Sequence, residues 1–73
     1  MQLGKYRHYK GSLIEAIGIA NHSESLEEMV VYKKLEPHNE HPAGTLWVRP
    51  LKMFIEKVTV DGKEIPRFTY LNN

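Results

Sequence analysis

The sequence predicts an all-β fold: a small, partly open barrel of five to six short antiparallel strands with one 3-10 turn. Three observations predict it. Short runs rich in β-branched and aromatic residues recur along the chain. Gly, Pro, Asn and Asp separate these runs, and no long stretch has helical spacing of its apolar residues. At 73 residues the chain has room for one core, so residues 1–73 are predicted to form a single domain.

The first two strands are predicted at residues 5–10 and 13–20. The first has tyrosines and charges on both of its faces, and the second alternates small and branched apolar residues. Gly18 interrupts the second strand, where it predicts a bend or a bulge of the kind that curls a small sheet into a barrel.

The segment after residue 20 has two competing patterns. Ser25 and Glu28 fit a capping box, which favours a helix. Residues 29–32 are compact and rich in β-formers, which favours a strand. We predict at most one helical turn at residues 25–28, followed by a third strand at 29–35.

The second half of the chain is punctuated more clearly. Residues 36–44 contain two prolines and a glycine, which predict an irregular loop. A fourth strand at 45–49 ends at Pro50, and residues 50–54 are predicted to form the 3-10 turn.

The last two strands, at 55–60 and 63–68, flank Asp61-Gly62, a strong hairpin signal. Pro66 cannot donate to a ladder, so its strand is predicted at an edge. Among small barrels the pattern favours an SH3-like one, because no segment offers the helix of an OB fold.

Composition excludes several classes of site. With no cysteine the chain has neither a disulfide framework nor a thiolate zinc site. A formal net charge of +1 gives no global reason to expect nucleic acid or an anionic membrane as partner. No apolar stretch reaches the roughly 20 residues that a membrane span needs. Since residues 1–5 also lack the pattern of a secretory signal, we expect a cytoplasmic protein with no membrane partner.

Six sequence blocks resemble a family of short bacterial proteins known only as a domain of unknown function. In order they are Gly4-Lys5-Tyr6-Arg7-His8-Tyr9-Lys10-Gly11, His22-Ser23-Glu24, Val31-Tyr32, Leu46-Trp47-Val48-Arg49-Pro50, Met53-Phe54 and Pro66-Arg67-Phe68. The resemblance covers nearly the whole chain. It implies a stand-alone, cytoplasmic, SH3-like barrel, and it supplies no activity, substrate or site. Residues 36–44 depart from the family pattern.

The fourth strand places an aromatic residue beside a basic one. Leu46 and Val48 share one face, and Trp47 and Arg49 share the other. We assign the apolar pair to the core, so Trp47 and Arg49 are expected near the surface, as a platform for a base, a proline or an aromatic ligand. The alternative is that the rings only cap the open ends of the barrel, with arginines as solvated cover. The assignment also predicts that Val48→Ala destabilises the fold more than Arg49→Ala does.

We therefore predict a non-enzymatic binding module with no cofactor. Strand parity leaves open which face of the first strand is outward, so the predicted surface includes both. Its residues are Tyr6, Arg7, His8, Tyr9, His22, Glu24, Tyr32, Trp47, Arg49 and Arg67.

Two classes of partner fit such a surface. An extended or Pro-containing peptide could lie in an aromatic groove or augment an edge strand. Single-stranded nucleic acid could stack its bases on the rings while arginines follow the phosphates. The near-neutral net charge favours a peptide or protein partner, unless acidic residues cluster away from the aromatic face. The chain is expected to be a monomer or a weak homodimer.

Two further patterns contain residue types that occur in catalytic and metal sites. His22-Ser23-Glu24 supplies the residue types of a nucleophilic site but not the required spacing, so catalysis is only a minor alternative and no catalytic residue is predicted. His38 and His41, with Glu36, Glu40 and His22, have metal-ligand side chains, but the two loop histidines fall where spacing fixes no common face. No metal site is therefore predicted.

Overall fold

The computed structural model describes residues 1–73 and contains seven strands and one short helix. In chain order they are β1 (Gly4–His8), β2 (Leu13–Asn21), β3 (Glu28–Lys34), β4 (Leu46–Pro50), α1 (Leu51–Phe54), β5 (Lys57–Val60), β6 (Lys63–Pro66) and β7 (Phe68–Asn72). The all-β fold class is confirmed. None of the helical structure has the length and apolar character that crossing a bilayer requires.

Five strands form one antiparallel sheet in the order β4-β3-β2-β1-β7, and β5 and β6 form a separate hairpin. β1 and β7 are distant in sequence yet pair directly, with Lys5 opposite Asn72. The two edge strands of the sheet, β4 and β7, do not pair with each other. They do approach each other, because the guanidinium of Arg49 on β4 lies 5.5 Å from the centre of the Phe68 ring on β7. The sheet is therefore a partly open barrel, as predicted, and we call the gap between β4 and β7 the seam.

The number of strands exceeds the prediction because the last predicted strand, at 63–68, is divided at Arg67, and its second part extends to Asn72 as β7. β6 pairs with β5, and the chain then crosses to the larger sheet, where β7 pairs with β1. The crossing occurs at Arg67, whose N–H donates to the carbonyl of Glu56 (3.2 Å). Pro66 lies just before it, at the end of a two-stranded hairpin, which agrees with its predicted edge position.

The predicted helical turns both differ in detail. No helical turn forms at residues 25–28, where at most one was predicted, because Leu26 has a positive φ of 62°. The N–H of Leu26 instead closes the preceding turn by donating to the carbonyl of His22 (2.8 Å). The predicted 3-10 turn is an α-helical one, in which the N–H of Ile55 donates to the carbonyl of Leu51 four residues earlier (3.1 Å).

Two local predictions are confirmed. The register between β2 and β3 shifts between Ala16 and Gly18, which is the predicted bulge. Asp61 and Gly62 have φ of 50° and 77°, the pair of positive values that a type I′ hairpin turn requires.

The core lies on the inner face of the curled sheet, under α1. It consists of alternating strand residues and one helical phenylalanine, namely Tyr6, Ile14, Ala16, Val30, Tyr32, Phe54 and Phe68. The rings of Phe54 and Phe68 stack in parallel at 4.2 Å, and Tyr6 meets Phe54 edge-on at 5.1 Å. These contacts join the α1 turn to β1 and β7, at one end of the sheet.

The predicted faces of the fourth strand are wrong. Leu46 and Val48 are each 59% exposed, whereas Trp47 packs against the core. Trp47 pairs with Tyr32 and Arg49 with Val30, and paired residues lie on the same side of an antiparallel sheet. The inner face therefore takes Trp47 and Arg49. It can hold an arginine because the seam is open and the guanidinium rests on an aromatic ring.

A candidate binding seam

Basic and aromatic side chains from four strands meet at the seam. We call them the seam cluster: His8, Lys34, Trp47, Arg49, Arg67 and Phe68. Register explains the convergence, because His8 lies opposite Phe68, and Lys34 follows Tyr32 by two positions on the inner face of β3. Trp47 and Arg49 are also two positions apart, on the inner face of β4.

Arg49 is held on the seam by an aromatic surface. Its guanidinium lies over Phe68, whose ring is in turn stacked on Phe54. The arginine makes no ion pair, and its buried Nε has no hydrogen-bond acceptor in the protein. The ring contact holds the charge in place and leaves its donors unused.

Arg67 reaches the seam from the other edge, directly before β7. Its Nη2 donates to Oε1 of Glu56 at 2.9 Å, and its carbonyl accepts the N–H of Tyr9 at 2.9 Å. Its Nε is buried without an acceptor, as in Arg49. The ion pair therefore fixes Arg67 through one end of the guanidinium only.

Trp47 is surrounded by three nitrogen-bearing side chains. Nζ of Lys34 lies 5.8 Å from the centre of the indole. His38 and His41 meet the indole edge-on at centroid distances of 6.1 and 5.0 Å. These two histidines are brought together by a small hairpin, since each N–H donates to the carbonyl of the other (2.9 Å). The indole N–H is buried and has no acceptor in the protein.

His8 lies among the cations of the seam. Its ring contacts Tyr9 at 4.6 Å and the edge of Phe68 at 4.9 Å, and its Nδ1 accepts the N–H of Lys10 at 3.1 Å. Burial lowers the pKa of His8 below its ordinary value of 6.5, and nearby positive charges lower it further. Those charges come, in decreasing order of effect, from Arg49, Arg67, Lys10 and Lys34.

The seam is consequently a local positive region on a nearly neutral protein. Of the four cations that act on His8, only Arg67 has a carboxylate partner, Glu56. The other ion pair of the protein, Lys33 with Glu15 (3.5 Å), lies on the outer face of the sheet. The arrangement can attract and orient a negatively charged group.

β4 also offers unpaired main chain beside these cations. It is an edge strand whose only partner is β3. The N–H of Lys34 donates to the carbonyl of Thr45, and the carbonyl of Lys34 accepts the N–H of Gly44 (2.8 Å). Because bonded and free positions alternate along an antiparallel strand, Trp47 and Arg49 bond to β3. The N–H and C=O groups of Leu46 and Val48 then point away from the sheet.

The structure brings half of the predicted surface together at the seam: His8, Tyr9, Trp47, Arg49 and Arg67. Tyr6 and Tyr32 are buried in the core instead. Arg7 points to the opposite face of β1 and donates through Nη1 to the carbonyl of Gly11 at 3.1 Å.

His22 and Glu24 lie in the β2–β3 turn, at the end of that hairpin opposite Lys34 and roughly 20 Å away by strand length. Nδ1 of His22 accepts the N–H groups of Glu24 (3.1 Å) and Ser25 (3.4 Å). Oγ of Ser25 accepts the N–H of Glu27 (3.2 Å). No hydrogen bond joins His22 to Ser23, and the bonds that the His22 and Ser25 side chains do make organise the turn.

Sequence reasoning left Lys34, Phe68 and Glu56 out of the site. Of these, Lys34 had a usable signal, since it lies two positions after Tyr32 and continues the alternation of buried residues on β3. His38 and His41 do adjoin each other, but no third histidine or carboxylate is close enough to complete a metal site. Two open depressions of about 460 and 450 Å³ lie elsewhere, beside Leu3 and Asn73 and beside the β2–β3 turn.

Comparisons with known proteins identify a family and a similar fold. The profile of a family described as "Protein of unknown function (DUF1653)" matches residues 4–70. A crystal structure of a DUF1653 protein from Bordetella bronchiseptica is similar, with 36% sequence identity and a TM-score of 0.84. The alignment covers 97% of this chain and 87% of that one. No curated protein matches.

Proposed function

Since the chain belongs to the DUF1653 family, as its sequence blocks predicted, and the family description names no activity, we propose a function from the seam itself. The protein is a non-enzymatic binding module that takes an extended, acidic peptide segment of a partner protein along β4. The observation that carries this proposal is the free edge of β4 lying beside a set of cations that have few carboxylate partners.

The main chain of β4 supplies the first part of the interaction. A segment paired with this edge receives and donates hydrogen bonds at Leu46 and Val48, which gives affinity without regard to side chains. It also covers an unpaired edge, which natural sheets otherwise protect with charges, bulges or short strands. The five-stranded sheet becomes six-stranded, and the bound segment occupies the seam.

Side chains on the two faces of β4 supply selectivity. Inward-pointing residues of the bound segment meet Arg49 and the other cations of the seam, so acidic residues fit there. Outward-pointing residues meet Leu46 and Val48, which are largely exposed in the free protein. A segment with acidic and apolar or neutral residues in alternation satisfies both faces. All these groups can bind and orient a partner, which is why we propose a binding module and not an enzyme. The absence of cysteine fits a cytoplasmic location.

Single-stranded nucleic acid is the second candidate, and one cluster of acidic residues away from the seam favours it. Glu24, Glu27 and Glu28 lie near the far end of the β2–β3 hairpin, away from the seam. It ranks second because bases need exposed ring faces. Phe68 is buried and Trp47 is packed against the core, and Tyr9, next to the seam, is only 37% exposed.

The test is an amide NMR titration of the ¹⁵N-labelled protein with a blocked octapeptide of alternating Thr and Glu. We expect saturable shifts at residues 46–49 and slower hydrogen exchange at the amides of Leu46 and Val48. Added salt weakens the binding, and an octapeptide of alternating Thr and Lys does not bind.

Two variants separate pairing at the edge from simple charge attraction. Val48→Pro removes the outward N–H and leaves the bonds to β3, because proline is tolerated on the free side of an edge strand. It abolishes binding, whereas the matched change Val48→Thr retains it. Equal binding by Val48→Pro would refute strand addition.

Three other outcomes also count against the proposal. No shifts with the acidic octapeptide would exclude the peptide class chosen here. Saturable, salt-sensitive binding of a thymidine octamer in its place would favour the second candidate. Shifts of the β4 amides that depend on protein concentration alone would mean that a second copy of the chain covers this edge.

A further inference from the structure

The seam contains all the buried side-chain polar atoms that the protein leaves without a hydrogen-bond partner. They are three N–H donors: Nε1 of Trp47, Nε of Arg49 and Nε of Arg67. A buried donor that lacks an acceptor destabilises the folded state, because it has lost its hydrogen bonds to water without replacement. Three such donors on neighbouring parts of one surface indicate a site that is completed by an acceptor from outside the chain.

The charges at the same place specify what kind of acceptor fits. Arg49 and Lys34 lie over ring faces, at 5.5 Å from Phe68 and 5.8 Å from Trp47, and neither makes an ion pair. Arg67 gives Nη2 to Glu56 and keeps Nε free. Uncompensated positive charge beside unused donors suits an oxygen acceptor that carries negative charge.

We infer that the seam is an oxyanion subsite, in which the Nε–H groups of Arg49 and Arg67 and the indole N–H of Trp47 donate to a bound carboxylate or phosphoryl group. The inference deepens the proposed function, on which it rests for the source of the oxyanion, an acidic residue of the bound segment. A carboxylate and a phosphoryl group each present several acceptor oxygens at once, and arginine matches that geometry better than lysine does.

The test observes the three donors directly. The chain has three arginines and one tryptophan, so the side-chain region of a ¹H–¹⁵N spectrum contains three Arg Nε–H signals and one indole N–H signal. Sodium acetate and sodium phosphate are titrated separately, with sodium chloride at equal ionic strength as reference. We expect saturable shifts of the Trp47, Arg49 and Arg67 signals, while the Nε–H of Arg7, on the opposite face, stays unchanged.

Conservative variants separate the donors from the net charge. Arg49→Lys and Arg67→Lys keep the charge and remove the Nε–H, so each weakens binding of the oxyanion roughly tenfold, the effect of losing about 1.4 kcal/mol. Arg7→Lys is the matched control and leaves binding unchanged. The backbone amide spectrum of each variant verifies its fold before the titration is read.

The two salts distinguish the sources of the oxyanion. Saturation by acetate supports a carboxylate ligand, and saturation by phosphate alone supports a phosphoryl ligand in the same subsite. Shifts that chloride reproduces, or no saturable shift with either salt, would overturn the inference.

The failure of this inference is distinct from failure of the proposed function. Val48→Pro keeps the oxyanion subsite while losing strand addition, and a Thr/Gln octapeptide tests strand addition without an oxyanion.

Discussion

Val30 and Val48 lie on adjacent strands and offer a matched test of which residues hold the fold together. Val30 is completely buried on β3, and Val48 is 59% exposed on β4. Replacing either by alanine removes the equivalent of two methylene groups. At Val30 the lost transfer free energy is about 1.6 kcal/mol, and the cavity left behind raises the total to roughly 2–3 kcal/mol. At Val48 no cavity forms, and we expect a change within about 0.5 kcal/mol.

Thermal and urea unfolding, followed by the fluorescence of Trp47, measure the difference. For a domain of this size 1 kcal/mol corresponds to about 4–8 °C in Tm. Val30→Ala should therefore lower Tm by roughly 10–20 °C, and Val48→Ala by a few degrees at most. Equal losses, or a larger loss for Val48→Ala, would show that the inner and outer faces of β4 are as the sequence alone predicted and that Trp47 and Arg49 do not line the seam.

The remaining expectations concern backbone geometry, pH and salt. Gly62→Ala costs roughly 1 kcal/mol through its positive φ. Gly4→Ala costs at least roughly twice as much, because a Cβ there also meets a backbone oxygen of β7 at 2.5 Å. Urea midpoints rank the two variants, and the reverse order would contradict the close β1–β7 contact at Gly4. The pKa of His8 is lowered in the folded state, so the unfolded chain binds more protons. Stability therefore falls as pH drops from about 6.5 toward that lower pKa. His8→Gln should flatten this slope, and an unchanged slope would show that His8 is not its cause. Glu15→Gln removes the cross-strand ion pair with Lys33 and should lower the free energy of unfolding by less than about 1 kcal/mol. In 1 M salt this difference should vanish, and a loss that persists there would indicate a non-electrostatic role for Glu15.

Local sequence signals predicted the strands well where the physics is local. Asp61-Gly62 specifies its turn because both positions need a positive φ, whatever the rest of the chain does. Gly18 marks the bulge because an interruption in an apolar strand favours one. The division of the last strand at Arg67 had no such signal, since a crossing between sheets depends on partners that are distant in sequence.

The site was predicted only in part for a related reason. Alternation gives two faces for β4 but does not say which is inside, and apolarity favoured Leu46 and Val48. The register with β3 decides otherwise and places Trp47 and Arg49 inward. An arginine on an inner face is acceptable only where the barrel is open and a ring supports the charge, and both conditions are tertiary. The aromatic and basic residue types of the site were therefore predictable, but their convergence was not.

The pairing of β1 with β7 has a consequence for how the chain is made and how it yields to force. β1 is the first strand of this sheet along the chain and its partner β7 is the last, so the sheet can be completed only after β7 is available. Such non-local pairing makes folding slow for a domain of this size. Because Lys5 lies opposite Asn72, tension applied through the two ends of the chain would separate these strands one hydrogen bond at a time. Under load the domain should open like a zipper from its β1–β7 ends, with the seam end of these strands, at His8 and Phe68, separating last.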